Sequence, residues 1–234
     1  MIEIHALTVA FGAVIAIDAL DARLDAPVCG LIGPNGAGKT TLVNALSGFV
    51  RARSGDVSVQ GTPLLGMDPA RRVRFGLRRS FQTEQVVEDL SVWDNVLAIL
   101  DHVPHERAQG DAQVHSALAH AGLLDVAAVP GARLDLFRRR MVEVAKALVG
   151  RPQLILFDEP GAGLDEAESR VLRDAIASIP DRFGAQVLLI DHDVDLISAI
   201  CTQTLVLDFG RRLALGPTRD VLADPAVRQA YLGA

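Results

Sequence analysis

Eight consecutive residues, Gly33-Pro34-Asn35-Gly36-Ala37-Gly38-Lys39-Thr40, fit G-x-x-x-x-G-K-[ST], the pattern of a loop that cradles phosphates. Glycines let the backbone turn tightly and bring its N–H groups against phosphate oxygens. The apolar run Pro27–Ile32 before the loop reads as a buried parallel strand, and Thr41–Leu46 after it reads as a helix. A helix N-terminus there adds unpaired donors and the positive end of its dipole. Lys39 then reaches the terminal phosphates, the Thr40 hydroxyl suits Mg²⁺, and Thr41 extends the set. The chain has 23 Lys+Arg but only two lysines, Lys39 and Lys146. Where arginine is used almost everywhere else, a compact ammonium is kept at the loop. A chance glycine turn does not explain the strand–loop–helix context. Gly33, Gly36 and Gly38 do not make G-x-G-x-x-G, so the dinucleotide reading also fails.

Other polar groups sit where strands should end. Gln153–Phe157 reads as a buried strand closing on Asp158-Glu159, and Val187–Ile190 as another closing on Asp191-His192-Asp193. Leu77–Phe81 reads as a strand presenting Gln82. Ligands of an open parallel sheet bind at the carboxyl ends of strands, so these groups are expected to converge on the phosphates. Asp158 suits an outer ligand for Mg²⁺, and Glu159, one residue on, suits a general base for the attacking water. Gln82 is placed to sense the metal or the water, and His192 to contact the γ-phosphate. Phosphoryl transfer needs mainly positioning and charge stabilisation, which this set supplies. Phe11, at the Phe11-Gly12 turn, reads equally as a stacking platform for a purine and as ordinary packing.

The elements that must position these residues give an α/β chain. Residues 2–9 and 14–24 read as an antiparallel pair ahead of the loop strand. Asp68-Pro69 starts a helix ending near Gly76, and Ser91 caps a helix over 92–100. Residues 83–150 read as an inserted helical subdomain, with helices near 111–121 and over 138–149, the latter carrying Met141, Ala145 and Leu148 on one face. Asp165 and Glu168 form a capping box for a helix whose apolar stripe is Val171, Leu172, Ala175, Ile176 and Ile179, stopped by Pro180. A helix over 194–201, a hairpin about Phe209-Gly210 and two tail helices, from about 218 and 225, close the chain. The predicted division is a core of 1–82 and 151–234, with the helical subdomain between, as one domain of 1–234.

Composition excludes several classes. A net charge of −6 argues against a nucleic-acid partner held by a general basic field, and the arginines at 71, 72, 74, 78, 79 and 138–140 read as a solvated face or a partner contact. Cys29 and Cys201 match no metal spacing and read as reduced core thiols, with the cytoplasm as the compartment. His102, His105, His115 and His120 fall in one segment without a metal-binding pattern. The N-terminus lacks a signal peptide, and no apolar run is long enough to span a bilayer, so any membrane role is expected to come through partners. The guanine-reading N-K-x-D motif is absent, which disfavours a GTPase.

Taken in order, the phosphate loop, Gln82, Asp158-Glu159 and His192 resemble the ATP-binding subunit of ABC transporters, and the resemblance covers essentially the whole chain. The segments Arg79–Gln82, Leu90–Val96, Glu159–Asp165 and Asp224–Gly233 look most like importers of branched-chain amino acids and related amides. The resemblance implies a P-loop NTPase fold with a mostly parallel sheet, an N-terminal antiparallel β subdomain and an inserted helical subdomain. It implies ATP and Mg²⁺ as cofactors, Phe11 as the adenine-stacking aromatic and the loop Gly161–Asp165 as the coupler of two nucleotide sites. Implied partners are transmembrane permease subunits, docking near Gln82 and the helical subdomain, at the inner face of the cell membrane.

One segment departs from that family. Its signature, L-S-G-G-Q or similar, falls here on Leu134-Asp135-Leu136-Phe137-Arg138, without the serine and without both glycines. That motif clasps the γ-phosphate held by the opposite subunit through a hydroxyl and backbone N–H groups. Losing one preorganised donor costs about 3 kcal/mol, or roughly 10²–10³ in rate, and losing several should leave the clasp nearly inactive. A homodimer would have two defective sites. The expectation is therefore an asymmetric pair with a second ATP-binding subunit. A non-hydrolysing regulatory subunit and a soluble ATPase of the same superfamily are the alternatives.

Overall fold

The computed structural model describes residues 1–232. The strands are β1 (Ile2–Phe11), β2 (Val14–Leu24), β3 (Val28–Ile32), β4 (Ser54–Val59), β5 (Thr62–Pro63), β6 (Leu77–Arg79), β7 (Leu154–Asp158), β8 (Gln186–Ile190), β9 (Gln203–Asp208) and β10 (Arg211–Pro217). The helices are α1 (Lys39–Ser47), α2 (Pro69–Phe75), α3 (Val92–Leu100), α4 (Gly110–His120), α5 (Leu136–Leu148), α6 (Glu166–Ala177), α7 (Ile179–Phe183), α8 (Val194–Ile200), α9 (Thr218–Ala223) and α10 (Pro225–Val227). Of the tail motif, Gly233 lies outside the described residues.

The backbone divides into two compact units, Met1–Arg72 with Gln186–Ala234, and Val73–Ala185. In the first, β1 pairs antiparallel with β2 and β4, and β4 with β5. Beside this antiparallel sheet, β3 pairs in parallel with β8 and β9, and β9 pairs antiparallel with β10. Every residue of β3 and β8 is buried, as expected of parallel strands covered on both faces.

In the second unit β6 and β7 pair in parallel, Leu77 against Leu154 and Arg79 against Leu156. The helices begin where their caps dictate. Ser91 Oγ accepts from Asp94 N–H at 3.0 Å, and Asp165 and Glu168 form the capping box of α6. Among the described residues no group of three or more His, Cys, Asp and Glu side chains is placed to hold a metal, the clustered histidines included. His120 is a packing residue: it meets Phe183 edge-on at 5.0 Å, and its Nε2 lies 2.9 Å from Ala175 O.

Several expectations are corrected. Helix α5 begins at Leu136 rather than Arg138, because Asp135 caps it. Strand β6 stops at Arg79; the ladder's last bond runs from Ser80 N–H to Leu156 O at 2.9 Å, so Gln82 sits in an exposed loop rather than on a strand end. Val171 is 53% exposed, since one helical step turns it off the buried face of Leu172, Ala175 and Ile176. Pro180 does not stop α6, which closes at Ser178; it lies in the first turn of α7.

The arginine clusters are not simply solvated faces either. Arg72 and Arg78 are buried. Arg72 donates to the carbonyls of Ala45 and Leu46 at the end of α1, and Arg78 to Val73 O at 2.6 Å and Val149 O at 3.3 Å. Helix ends leave their last carbonyls unpaired, and a guanidinium with five donors can satisfy several at once.

Both cysteines are free and buried. Burial pushes the Cys29 thiol up to about 11 and the Cys201 thiol up as well. Only the thiolate attacks a disulfide reagent. At pH 8 neither cysteine should react with Ellman's reagent in the folded chain, whereas both should react in denaturant. Rapid release from the native protein would contradict this packing.

Candidate functional site

In the first unit the site is built outward from β3. The strand ends at Ile32, and the chain enters the glycine loop under close backbone contact. A Cβ on Gly33, whose φ is +151°, would collide with Leu207 O. One on Gly38, at φ +104°, would lie 2.7 Å from Ala16 O and 2.8 Å from Ile17 Cδ1. Gly210 N–H donates to Ala37 O at 2.9 Å, and a Cβ on Gly210 would lie 2.6 Å from Ala16 O. The β9–β10 turn thus seats the loop against β2. Sequence reasoning read Phe209-Gly210 only as a turn; the glycine was its one visible signal.

The N-terminus of α1 is left to the loop. Its N-cap, Gly38, offers no side chain, so the helix has no side-chain cap of its own at its first-turn donors. Lys39 Nζ donates to Gly33 O at 2.6 Å and Pro34 O at 3.1 Å, which holds the ammonium over the loop's own backbone. Asn35, Gly36 and Thr40 are exposed, Pro34 and Thr41 half-buried, and Ala37 buried beneath. Phe11 closes β1 opposite Val14 and is 53% exposed, open for stacking.

The same strand edge carries His192. Leu31 of β3 stands in register with Ile190 of β8, so the glycine loop and the Asp191–Asp193 segment leave neighbouring strands at the same end. His192 is largely exposed, with Nδ1 3.6 Å from Asp191 Oδ1, beyond hydrogen-bond distance. Asp191 is buried, and desolvation raises its carboxyl above the usual range although Asp193 N–H donates to it at 2.9 Å. Asp193 caps α8, so the histidine's backbone lies between a buried acid and a helix start.

In the second unit β6 and β7 deliver Gln82, Asp158 and Glu159 past one edge of a parallel pair. Asp158 is buried; its Oδ2 stands 3.1 Å from Arg79 Nη2, with both side chains under a tenth exposed, and its N–H donates to Ser80 Oγ at 3.3 Å. Arg79 also lies over the Phe81 ring at 4.9 Å. Sequence reasoning missed Arg79 as the partner that orients this carboxylate. Glu159 adopts φ +50°, a left-handed conformation that costs a non-glycine residue about 1–2 kcal/mol. Such strain gathers at functional positions. Asp158 and Thr40 are hard oxygen donors of the kind Mg²⁺ takes.

The segment in the signature position is also defined. Asp135 Oδ1 accepts from Arg138 N–H at 2.8 Å, and Oδ2 pairs with Arg138 Nη1 at 2.9 Å. A carboxylate therefore occupies the helix N-terminus where an intact signature would offer donors. Leu136 is 39% exposed beside it, and its Cδ2 would meet a Cβ placed on Gly163 at 3.0 Å.

A glycine loop between a buried parallel strand and a helix, with acidic strand ends and an antiparallel β sheet, is the architecture of a P-loop NTPase. The ABC transporter family model matches residues 25–162. The chain is 30% identical to the high-affinity branched-chain amino acid transport ATP-binding protein LivG of Salmonella typhimurium, over 100% of this chain and 98% of that one. It is equally identical, over the same shares, to BraF of Pseudomonas aeruginosa. It is 35% identical to the lipopolysaccharide export system ATP-binding protein LptB of Acidithiobacillus ferridurans, over 88% of this chain and 85% of that one. A solved ATP-binding cassette of an ABC transporter in its ADP conformation superposes with a TM-score of 0.88 at 25% identity, covering 100% of this chain and 99% of that one. The chain belongs to the ABC transporter family, as an ATP-binding subunit and ATPase.

Two glycines of the loop separate strain from collision. Gly36, at φ +81°, has nothing within 4 Å of a would-be Cβ, whereas Gly38 has both strain and a clash. Gly36→Ala should cost about 1 kcal/mol of stability and Gly38→Ala about 2–3 kcal/mol or more. Gly38→Ala should also weaken ATP binding at least about tenfold, in line with lost preorganisation. Urea unfolding and titration with a fluorescent ATP analogue measure both; equal effects would contradict the seating against Ala16.

Proposed function

We propose that this chain hydrolyses ATP to power a membrane importer of branched-chain amino acids or related amides, paired asymmetrically with a second ATP-binding subunit. The carrying observation is the contrast between a fully equipped phosphate loop and a signature segment capped by its own carboxylate, Asp135. Full-length similarity to LivG and BraF supports the importer reading. The shorter match to LptB supports a second reading, a subunit of an exporter of amphiphilic glycolipid. Both readings need transmembrane permease subunits. Among the described residues no helix is long and apolar enough to cross a membrane, so attachment to the inner face would come through those partners.

In this reading Phe11 stacks on adenine and Gly33–Thr41 wrap the phosphates, with Lys39 on the β- and γ-phosphates. The Thr40 hydroxyl, the Asp158 carboxylate and the Gln82 amide oxygen are hard donors fit for Mg²⁺. That ion, when bound, neutralises phosphate charge. Arg79 holds the Asp158 carboxylate in a fixed orientation. Glu159 accepts a proton from water as the water oxygen bonds to the γ-phosphorus. The bond from that phosphorus to the β–γ bridging oxygen breaks, and ADP leaves with the electron pair. His192 donates to the γ-phosphate and Gln82 orients the water. The missing donors come from the partner's intact signature.

The isolated chain should bind ATP with little turnover, and the assembled transporter should hydrolyse it. Glu159→Gln in the complex should lower kcat by about 10²–10⁴ with ATP binding retained. Robust turnover by the isolated chain would sink the asymmetric pairing, and an unaffected Glu159→Gln complex would sink the catalytic role.

A further inference from the structure

Arg140 is one of the most heavily used side chains of the second unit. It lies in α5, six residues past the start of the signature segment, and is 7% exposed. Its Nη1 donates to Gln82 O at 2.9 Å. Its Nη2 pairs with Glu84 Oε1 at 3.0 Å and reaches Ala162 O at 3.4 Å. Gln82 and Glu84 belong to the loop that leaves β6, and Ala162 to the turn that follows Glu159. Six residues further along the same helix, Lys146 Nζ donates to Gln85 O at 2.5 Å and pairs with Glu143 Oε1 at 2.7 Å. The β6–β7 ladder ends at Ser80, and from there these cations of α5 take hold of the loop.

We propose that Arg140 is a positioning residue for ATP hydrolysis: by holding the carbonyls of Gln82 and Ala162 on one guanidinium, it sets the Gln82 loop and the Glu159–Leu164 turn as a unit. This rests on the reading above, in which Gln82 and Glu159 serve the nucleotide. The geometry demands arginine. A guanidinium presents its donors in a rigid planar fork and can serve two carbonyls and a carboxylate together. A lysine in the same place keeps the charge that Glu84 requires but offers a single ammonium on a flexible stem. Removing the charge altogether would leave the half-buried Glu84 carboxylate without its cation, which is destabilising. Arg140→Lys is therefore the informative variant, and Arg140→Met with Glu84→Gln, which removes both charges, is the check on folding.

The test has two arms. In the first, amide hydrogen exchange is followed on the full-length chain. Arg140→Lys should quicken exchange at 82–85 and at 161–164 together, leaving α1 and the middle of α5 unchanged. The double variant should show the same pattern. In the second arm the variant is assembled with its transporter. There kcat should fall at least tenfold, while affinity for a fluorescent ATP analogue stays within twofold of the parent. Exchange that quickens throughout 73–185 would reduce Arg140 to a structural role, and exchange unchanged at both loops would remove the latch. A kcat within twofold of the parent would overturn the positioning role. The exchange arm reads the latch even if the parental complex hydrolyses no ATP, an outcome that would count against the proposed function instead.

Discussion

Three stretches of backbone meet at the glycine loop with no room for a Cβ between them. Gly33 lies against Leu207 O, Gly38 against Ala16 O, and Gly210 against the same carbonyl while its N–H bonds Ala37. This packing forces the loop into conformations that only glycine adopts cheaply, and it leaves α1 without a side-chain cap. The buried strands exist to support that contact. Once β3, β8 and β9 lie in parallel register, the loop, the β9–β10 turn and the Asp191–Asp193 segment have little freedom left.

Charge is handled by the same economy in the second unit. The buried carboxylates Asp158 and Glu143 are matched to Arg79 and Lys146, and the half-buried Glu84 to the buried Arg140. A buried charge without a partner is strongly unfavourable, so these pairs fix side chains that water would otherwise leave free. Asp135 is the exception in kind. It is exposed and serves its own helix, where the family's signature would present donors to another subunit. The unequal pairing proposed above rests on this contrast between the glycine loop and the self-capped segment at Asp135.

Much of this was legible in the sequence. The glycine loop announces itself because the backbone geometry it needs restricts residue type. The caps at Ser91 and Asp165 are legible because their bonds are local. β3, β7 and β8 are legible as unbroken apolar runs. What stayed hidden depends on partners distant in sequence. Arg72, Arg78 and Arg140 look like surface charges until the helix-end and loop carbonyls they satisfy are brought beside them. Gly210 looks like any hairpin glycine until β2 lies against it. The end of β6 is hidden because it depends on a distant partner: the backbone of Arg79 and Ser80 still pairs with Leu156 while their side chains reach Asp158, 79 and 78 residues away.

In the proposed pairing the productive ATP site is the one whose phosphate loop belongs to this chain. Vanadate trapping of a photoreactive adenine nucleotide in the assembled transporter tests it most directly. The trapped label should fall on this chain alone, since its loop would face an intact signature. Label shared equally between the two ATP-binding subunits, or found on the partner alone, would rule out the asymmetric pairing.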